Sequence, residues 1–457
     1  MGNFLSQLFR LFVIGPNQRE SLPLEVTEPA LDVTENKNED VVVDPECIFK
    51  LDVDCFEELF EWLSMEDLRA LRRTCTRFKK VIDYYIESNY PNGFGMLYFD
   101  DYLQHFELFS ADFCKLFKEI EISDHQLTED VIGRIKNVHL NRVTILSNDI
   151  GIKYLDAFLQ HCTNLKTLNI IFHEVLAESE MGKQWLHRHY PQLEHLIMCD
   201  YRDYIRRAKN IPELQIFFDL NPSVKVFSTT ASILQSNLTW MVTSNLKFDR
   251  LIILDVDCFE FDMDQLCELL EEIFAHGFYT QLHFYAINVY RQPQIDRIAT
   301  LTALEKLHLQ FHGEDVNYSI PPNHSDSLKE LSVCWAVYLS NLDPLDKNLY
   351  PKNIERFCFE SVSSDSILRF IRHATKVKQI KIDVIEDENR FLDTITNLSA
   401  LNQERKQLID AKKITIYIRE KLFLAIKLAT TNTDFEFIEI QRLETIDWEN
   451  AFYKRVF

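Results

Sequence analysis

The sequence predicts an α/β protein in which a short helical unit precedes a long, irregular solenoid of alternating strands and helices. Three observations carry that expectation. Large apolar residues recur at helical spacing twice between Asp54 and Phe78. The phrase L-x-x-L-x-L returns along the chain from Leu165 onward. At Ile48 the composition changes abruptly, from an acidic, proline-spaced segment to apolar chain.

The first 46 residues read as a disordered acidic segment with an apolar start. "MGNFLS" fits M-G-x-x-x-[ST], the pattern for attaching myristate to Gly2, and Leu8, Phe9, Leu11, Phe12, Val13 and Ile14 follow. It is not a secretory signal: no cationic region precedes the apolar residues, Arg10 interrupts them and no small-residue cleavage site follows. One myristoyl chain binds membrane marginally, so a weak membrane association is expected only if Gly2 is acylated. From Glu20 to Glu46 nine acidic residues stand against one lysine, Lys37.

Whole-chain properties exclude several classes. The 457 residues are 46% hydrophobic, enough for a large core, and the net charge of −22 disfavours nucleic acid as a partner. Ten cysteines lie between Cys47 and Cys358 with no C-x-x-C pair, the usage of a reducing compartment, cytoplasm and/or nucleus, rather than of a disulfide framework or a zinc knuckle. The sequons at Asn237, Asn317, Asn323 and Asn397 then arise by chance. No apolar run approaches the roughly 18 residues of a membrane span.

In the helical unit, Phe56, Leu59, Phe60 and Leu63 form one stripe, and Asp54 with Glu57 supplies a cap and an acidic first turn. Ser64-x-x-Asp67 opens a second helix whose stripe is Leu68, Leu71, Cys75 and Phe78, extended by Val81 and Ile82. Two short amphipathic helices of about forty residues in all make too small a core to stand alone, so the unit needs a partner.

The arrangement of Leu51, Asp54, Leu59, Phe60, Leu63, Asp67, Leu68, Leu71, Arg73, Cys75 and Phe78 resembles the F-box, the helical motif by which substrate receptors dock on the Skp adaptor of cullin-RING ubiquitin ligases. The resemblance covers residues 48 to about 88, within a domain at 47–92. The family commonly has proline after the first leucine and tryptophan at the last aromatic site, where Asp52 and Phe78 stand here. It implies that Leu51, Leu59, Phe60, Leu63, Leu68, Leu71 and Phe78 contact the adaptor, and that Leu51, Leu59, Phe60 and Leu63 divide their surface between core and interface.

Behind it, residues 93–457 carry the repeated phrase. Clear copies are Leu165, Leu168 and Ile170; Leu193, Leu196 and Met198; Leu304, Leu307 and Leu309; Leu328, Leu331 and Val333; Ile354, Phe357 and Phe359; and Val377, Ile380 and Ile382. Fainter copies fall at Phe117, Ile120 and Ile122; Leu140, Val143 and Ile145; Val224 and Phe227; Leu251 and Ile253; Leu282 and Tyr285; and Phe435, Ile438 and Ile440. Start-to-start distances of 28, 24, 26 and 23 in the clear copies lie within the period of leucine-rich repeats. "GIKYLDAFLQHC" and "MDQLCELLEEIFAHG" read as return helices. His173, Ala336 and Val362 stand where the full consensus has Asn or Cys, so the solenoid is irregular.

Strand phase puts Thr167 and Asn169, His195 and Ile197, Lys306 and His308, Glu330 and Ser332, Arg356 and Cys358, and Gln379 and Lys381 on the concave face, where solenoids usually bind. Reversing charge at Lys306 with Lys381, or at Arg356 with Glu330, is expected to weaken capture of a target and to leave stability alone.

Catalytic motifs are missing. With nine glycines there is no P-loop and no G-x-G-x-x-G. His187, His189, His195 and Cys199 match no common zinc spacing, and Asp255 with Asp257 and Glu271 with Glu272 read as solvated faces or caps. The chain is therefore expected to use no cofactor or metal and to be a non-catalytic receptor of a still unidentified protein substrate. The alternative is a repeat scaffold without a ligase.

Overall fold

The computed structural model describes residues 53–63, 65–89, 96–99, 118–123, 139–149, 154–174, 183–200, 210–258, 261–311, 327–334, 353–364, 375–385, 398–408, 410–429 and 436–443, with a few isolated positions between them. The chain divides into two units, Met1–Pro91 and Asn92–Phe457. Gly2, Leu51, Asp52, Phe117, Asn317, Asn323, Ala336, Asn397 and Phe435 lie outside the described residues.

Among the described residues the first unit has three helices, α1 Val53–Phe60, α2 Met65–Arg72 and α3 Thr76–Asn89. The sequence reading of two helices is corrected at residues 73–75. There the Arg73 and Thr74 amides donate to Ala70 and Leu71 carbonyls in tight three-residue turns, and the Thr74 hydroxyl also donates to Leu71 at 2.7 Å. The next helix starts at once, its Phe78 amide donating to Cys75 Sγ at 3.5 Å. A short polar side chain thus closes one helix and a thiol caps the next, which periodicity alone does not reveal.

The second unit mixes helices with a parallel sheet. Its strands are β1 Met96–Phe99, β2 Glu119–Ser123, β3 Arg142–Asp149, β4 Thr167–Glu174, β5 His195–Asp200, β6 Val226–Thr230, β7 Phe248–Asp257, β8 Tyr279–Val289, β9 Leu304–Phe311, β10 Glu330–Cys334, β11 Arg356–Val362, β12 Gln379–Ile385, β13 Ile414–Ile418 and β14 Ile438–Arg442. Among the described residues these form one 14-stranded sheet whose order follows the chain. Register aligns the repeated phrase: Ile120, Val143, Leu168, Leu196, Phe227, Leu251 and Leu282 form one continuous row. Leu307, Leu331, Phe357, Ile380 and Ile416 form another, and both rows are wholly buried. The residue ahead of each strand repeats one backbone bond to its predecessor, Lys166 to Asn141, Glu194 to Lys166, Lys225 to Glu194, Lys329 to Glu305, Glu355 to Lys329 and Lys378 to Glu355, at 2.7–2.9 Å.

The two rows are offset because the register slips on both sides of β8. Asn288 there has φ 52 and donates to Asp257 Oδ2 at 2.7 Å, a left-handed position that asparagine tolerates. Strand β8 overturns one faint copy: Leu282, Phe284 and Ala286 face the leucine core, while Tyr285 pairs with His308 on the other face. Strands β1 and β13 carry no complete phrase and were not anticipated.

Helices return the chain on the leucine side. α4 Leu155–Leu159 buries Leu155, Phe158 and Leu159; α5 Pro212–Leu220 and α6 Ala231–Thr243 follow. α7 Met263–Ala275 buries Leu266, Leu269, Leu270 and Ile273, as its stripe requires, and Asp262 caps it by accepting from Asp264 and Gln265 amides at 3.1 and 3.2 Å. It ends in a Schellman turn: Gly277, at φ 73, donates to Phe274 and Phe278 donates to Ile273. α8 Gln292–Ala299, α9 Leu398–Lys406 and α10 Glu420–Ala429 complete the set. Beside the row at β6 and β7, Phe218, Phe227, Phe248 and Phe278 pack with rings 5.1–5.7 Å apart.

Candidate functional site

Two surfaces bear on function, the helical unit and the sheet face opposite the leucine rows. In the helical unit α1 sets Phe56 and Phe60 one turn apart, 5.8 Å between rings, and α3 brings Phe78 edge-on to Phe56 at 5.5 Å and Tyr85 to Phe60 at 5.4 Å. Leu63, Leu68, Leu71, Ile82 and Ile86 close this core. Buried Arg72 grips Asp83 through two nitrogens, Nη2 to Oδ2 at 3.1 Å, and so ties α2 to α3. Leu59 and Trp62 are half-buried, and Tyr84 is 55% exposed.

On the sheet the face opposite the leucines has two characters. Across β4–β8 it is apolar, a cluster of Ile171, Ile197, Cys199, Ile252, Leu254 and Tyr285. Across β9–β12 it is charged. Lys306 Nζ lies 2.7 Å from Glu330 Oε1 as an ion pair without a hydrogen bond, Arg356 Nε lies 3.0 Å from Glu330 Oε2, and Lys381 Nζ lies 3.4 Å from Asp383 Oδ2. His308 shares Nδ1 with Ser332 Oγ at 2.8 Å, and its ring lies 5.5 Å from that of Tyr285. Burial, together with the Lys306 and Lys381 cations, pushes its pKa down to about 3, so the ring is neutral.

The helical unit can now be placed among known proteins. Residues 48–86 match the F-box domain. No curated protein matches the chain. The F-box match spans α1, α2 and most of α3, and it includes the break at residues 73–75.

Of the residues that the resemblance assigned to the adaptor, Phe60, Leu63, Leu68, Leu71 and Phe78 are packed in the F-box core, Leu59 is half-buried and Leu51 lies outside the described residues. Of that set, among the described residues, only Leu59 keeps part of its side chain open to solvent. The aromatic rings at i, i+4 turn inward because a unit this small has little else with which to fill its centre. Sequence reasoning passed over Trp62 and Tyr84, whose exposure comes from lying off the two stripes.

The sheet face also differs from expectation. Asn169, Lys306, His308, Glu330 and Lys381 are buried, Thr167, His195 and Gln379 half-buried, and Arg356 exposed. The expectation that charge reversal at Lys306, Lys381 or Glu330 leaves stability alone is therefore overturned: these are buried ion pairs, and breaking one strands a charge.

Other candidates resolve as structure. His189 Nδ1 lies 2.7 Å from the Leu220 carbonyl, His195 Nε2 lies 2.7 Å from Ser228 Oγ, and Cys199 sits in the apolar cluster. Asp257, read as part of a solvated face or cap, is buried and accepts from Asn288, while Glu271 accepts from Thr302 N at 2.7 Å. Burial pushes the Cys162, Cys258 and Cys267 thiols up to about 12, which leaves them poor nucleophiles. Asn237 is buried and bonded to the Ile211 amide, so its sequon is closed to glycosylation. Among the described residues no helix is long and apolar enough to cross a membrane.

Proposed function

We propose that the chain is the substrate-recognition subunit of an SCF-type ubiquitin ligase. Its F-box docks on a Skp adaptor, which joins it to the cullin-RING subunits, and its sheet acts as an irregular leucine-rich-repeat solenoid that captures a target protein. The observation that carries this reading is the F-box match on a three-helix unit. Parallel strands in chain order, buried rows of the repeated phrase and the recurring bond ahead of each strand support the repeat half.

The mechanism is one of effective concentration. A target held at one end and an adaptor at the other bring the transfer machinery to the target, and the chain itself then needs no catalytic group, cofactor or metal. This role places the protein in the cytoplasm and/or nucleus, with weak membrane association where Gly2 carries myristate.

The test is co-purification of the full chain with a Skp adaptor and cullin, beside Leu59→Glu. Wild type is expected to bring down both. Leu59→Glu should lose about thirtyfold or more in adaptor affinity, the weight of an interface anchor, and should destabilise the unit less than a change at buried Phe60, because Leu59 is only partly buried. A wild-type chain that captures no adaptor, where another F-box protein does, is a repeat scaffold without a ligase.

A further inference from the structure

The first outward position of each strand forms a ladder across the sheet. One run is Glu119, Arg142, Thr167, His195, Val226, Arg250 and Gln281; beyond the slip at β8 the other is Lys306, Glu330, Arg356, Gln379, Thr415 and Glu439. Acids stand at the two outer ends. Between them the charged residues are Arg142, Arg250, Lys306 and Arg356 against Glu330 alone, in a chain with 71 acidic and 49 basic residues. The ladder reverses the sign of the protein. Its members are also the reachable part of this face: apart from Lys306 and Glu330, each is half-buried or exposed, while the next positions along the strands, Thr144, Asn169, Ile197, Ser228 and Ile252, are buried.

At one end two polar atoms lack partners. Arg142 Nε on β3 and Asn169 Oδ1 on β4 are shielded from water and make no hydrogen bond; Asn169 is 0% exposed, and its Nδ2 is spent on Thr144 Oγ1 at 3.3 Å. A buried donor and a buried acceptor on adjacent strands, both unsatisfied, are what an incoming segment would complete.

We propose that this ladder receives an extended acidic segment of the captured protein. A carboxylate of the segment accepts from Arg142, a backbone amide of the segment donates to Asn169 Oδ1, and further acidic side chains meet Arg250 and Arg356. Glu330 is shared by Lys306 on Oε1 and Arg356 Nε on Oε2, so two cations stand against one carboxylate, and the excess positive charge is presented on the exposed Arg356 side chain. The aliphatic strip of Ile171, Ile197 and Ile252 lies alongside, so large apolar residues next to the acids suit the same segment. The inference rests on the substrate-receptor reading and supplies its substrate class.

Fluorescence anisotropy with a labelled oligo-glutamate peptide and the full chain tests it, with an oligo-serine peptide and an oligouridylate as comparators. The overall negative charge repels both anions, so binding requires a local site. Oligo-glutamate is expected to bind and to be released by salt, and oligo-serine to bind negligibly. Arg142→Gln should weaken it about tenfold, because a charged hydrogen bond is lost. Arg142→Lys should recover part of that, and Arg356→Gln, more exposed, should cost about threefold. Lys247→Glu, off the ladder, should change nothing beyond a general charge effect, and thermal melts confirm that each variant is folded.

No binding of oligo-glutamate by folded wild type overturns the inference, as does equal loss from Lys247→Glu. Tighter binding of oligouridylate through the same arginines would do so too, by making the ligand a nucleic acid. Adaptor capture separates the two readings. A chain that binds adaptor without oligo-glutamate loses this inference alone, whereas one that binds oligo-glutamate without adaptor loses the ligase and keeps the ladder.

Discussion

In the F-box, four aromatic rings from two helices, Phe56, Phe60, Phe78 and Tyr85, meet in a single cluster with neighbouring centroids 5.4–5.8 Å apart, in a core completed by a handful of buried aliphatic residues. In the sheet, the buried rows run across many strands, and each row residue lies beside the row residues of the strands on either side. One core is a point and the other a line. Damage at a point is shared by the whole unit, while damage on a line stays with its neighbours, so the same kind of substitution should read differently in the two.

The largest expected effect follows from the point. Phe60→Ala removes a fully buried ring and should cost about 3–5 kcal/mol, comparable to the whole stability of so small a unit. Hydrogen exchange is expected to show residues 53–89 unprotected and the strands of the second unit unchanged. Loss of protection in the strands as well would break the comparison, since it would mean that the two units fold as one.

A smaller effect is expected on the charged part of the sheet. Lys306→Met takes the cation from Glu330 Oε1, while Arg356 still holds Oε2, so a cost of about 2 kcal/mol is expected, less than for a fully broken buried pair. Lys306→Met combined with Glu330→Leu should recover most of it, because no buried carboxylate is then left behind. Chemical denaturation of both variants checks this, and a double variant as unstable as the single one would show that Glu330 is not the stranded group.

How much of this was legible from the sequence depends on which side of a strand is asked about. Leu168, Leu196, Leu307, Leu331, Phe357 and Ile380 announce themselves because spacing alone fixes a buried row, and the stripe of Leu266, Leu269, Leu270 and Ile273 does the same for α7. Tyr285 was misplaced because Leu282, read as the first residue of the phrase, stands in the strand at its second place, so alternation puts Phe284 in the core and Tyr285 on the other face. β13, "ITIYI", escaped because it alternates without the leucine phrase. The opposite face was read as an open binding face because alternation names the side of a residue but not its cover. Lys306 and Glu330 are buried against each other, a relation between strands 24 residues apart in sequence. In the F-box the stripes were legible, but the division between core and surface was not, since Leu59 and Phe60 look alike on a helical wheel and only the approach of α3 separates them.

The smallest expected effect tests that hidden cover through pH. His308 faces Lys306 and Lys381, with Glu330 and Asp383 paired to those cations, Ser332 at its ring nitrogen and the Tyr285 ring beside it. Its pKa is about 3 in the folded protein, because burial and two cations oppose a third positive charge, against an ordinary 6.5 in the unfolded chain. Between these values the unfolded chain binds a proton that the folded one refuses, so stability must fall as the pH drops below 6.5. From pH 6.5 to 5.5 the loss is about 1 kcal/mol, steepening toward about 1.4 kcal/mol per unit. Glu305, held down to about 2 by the His283 ring 3.8 Å away and the Lys329 hydrogen bond at 2.8 Å, stabilises the fold above its ordinary 4.5 and loses that contribution only below it, outside this window. Denaturation midpoints at pH 6.5 and 5.5 should therefore separate for wild type and draw together for His308→Gln, which keeps an acceptor for Ser332 without a titrating ring. Equal separation in both would mean that water reaches His308, and the charged part of this face would then be as open as its alternation first suggested.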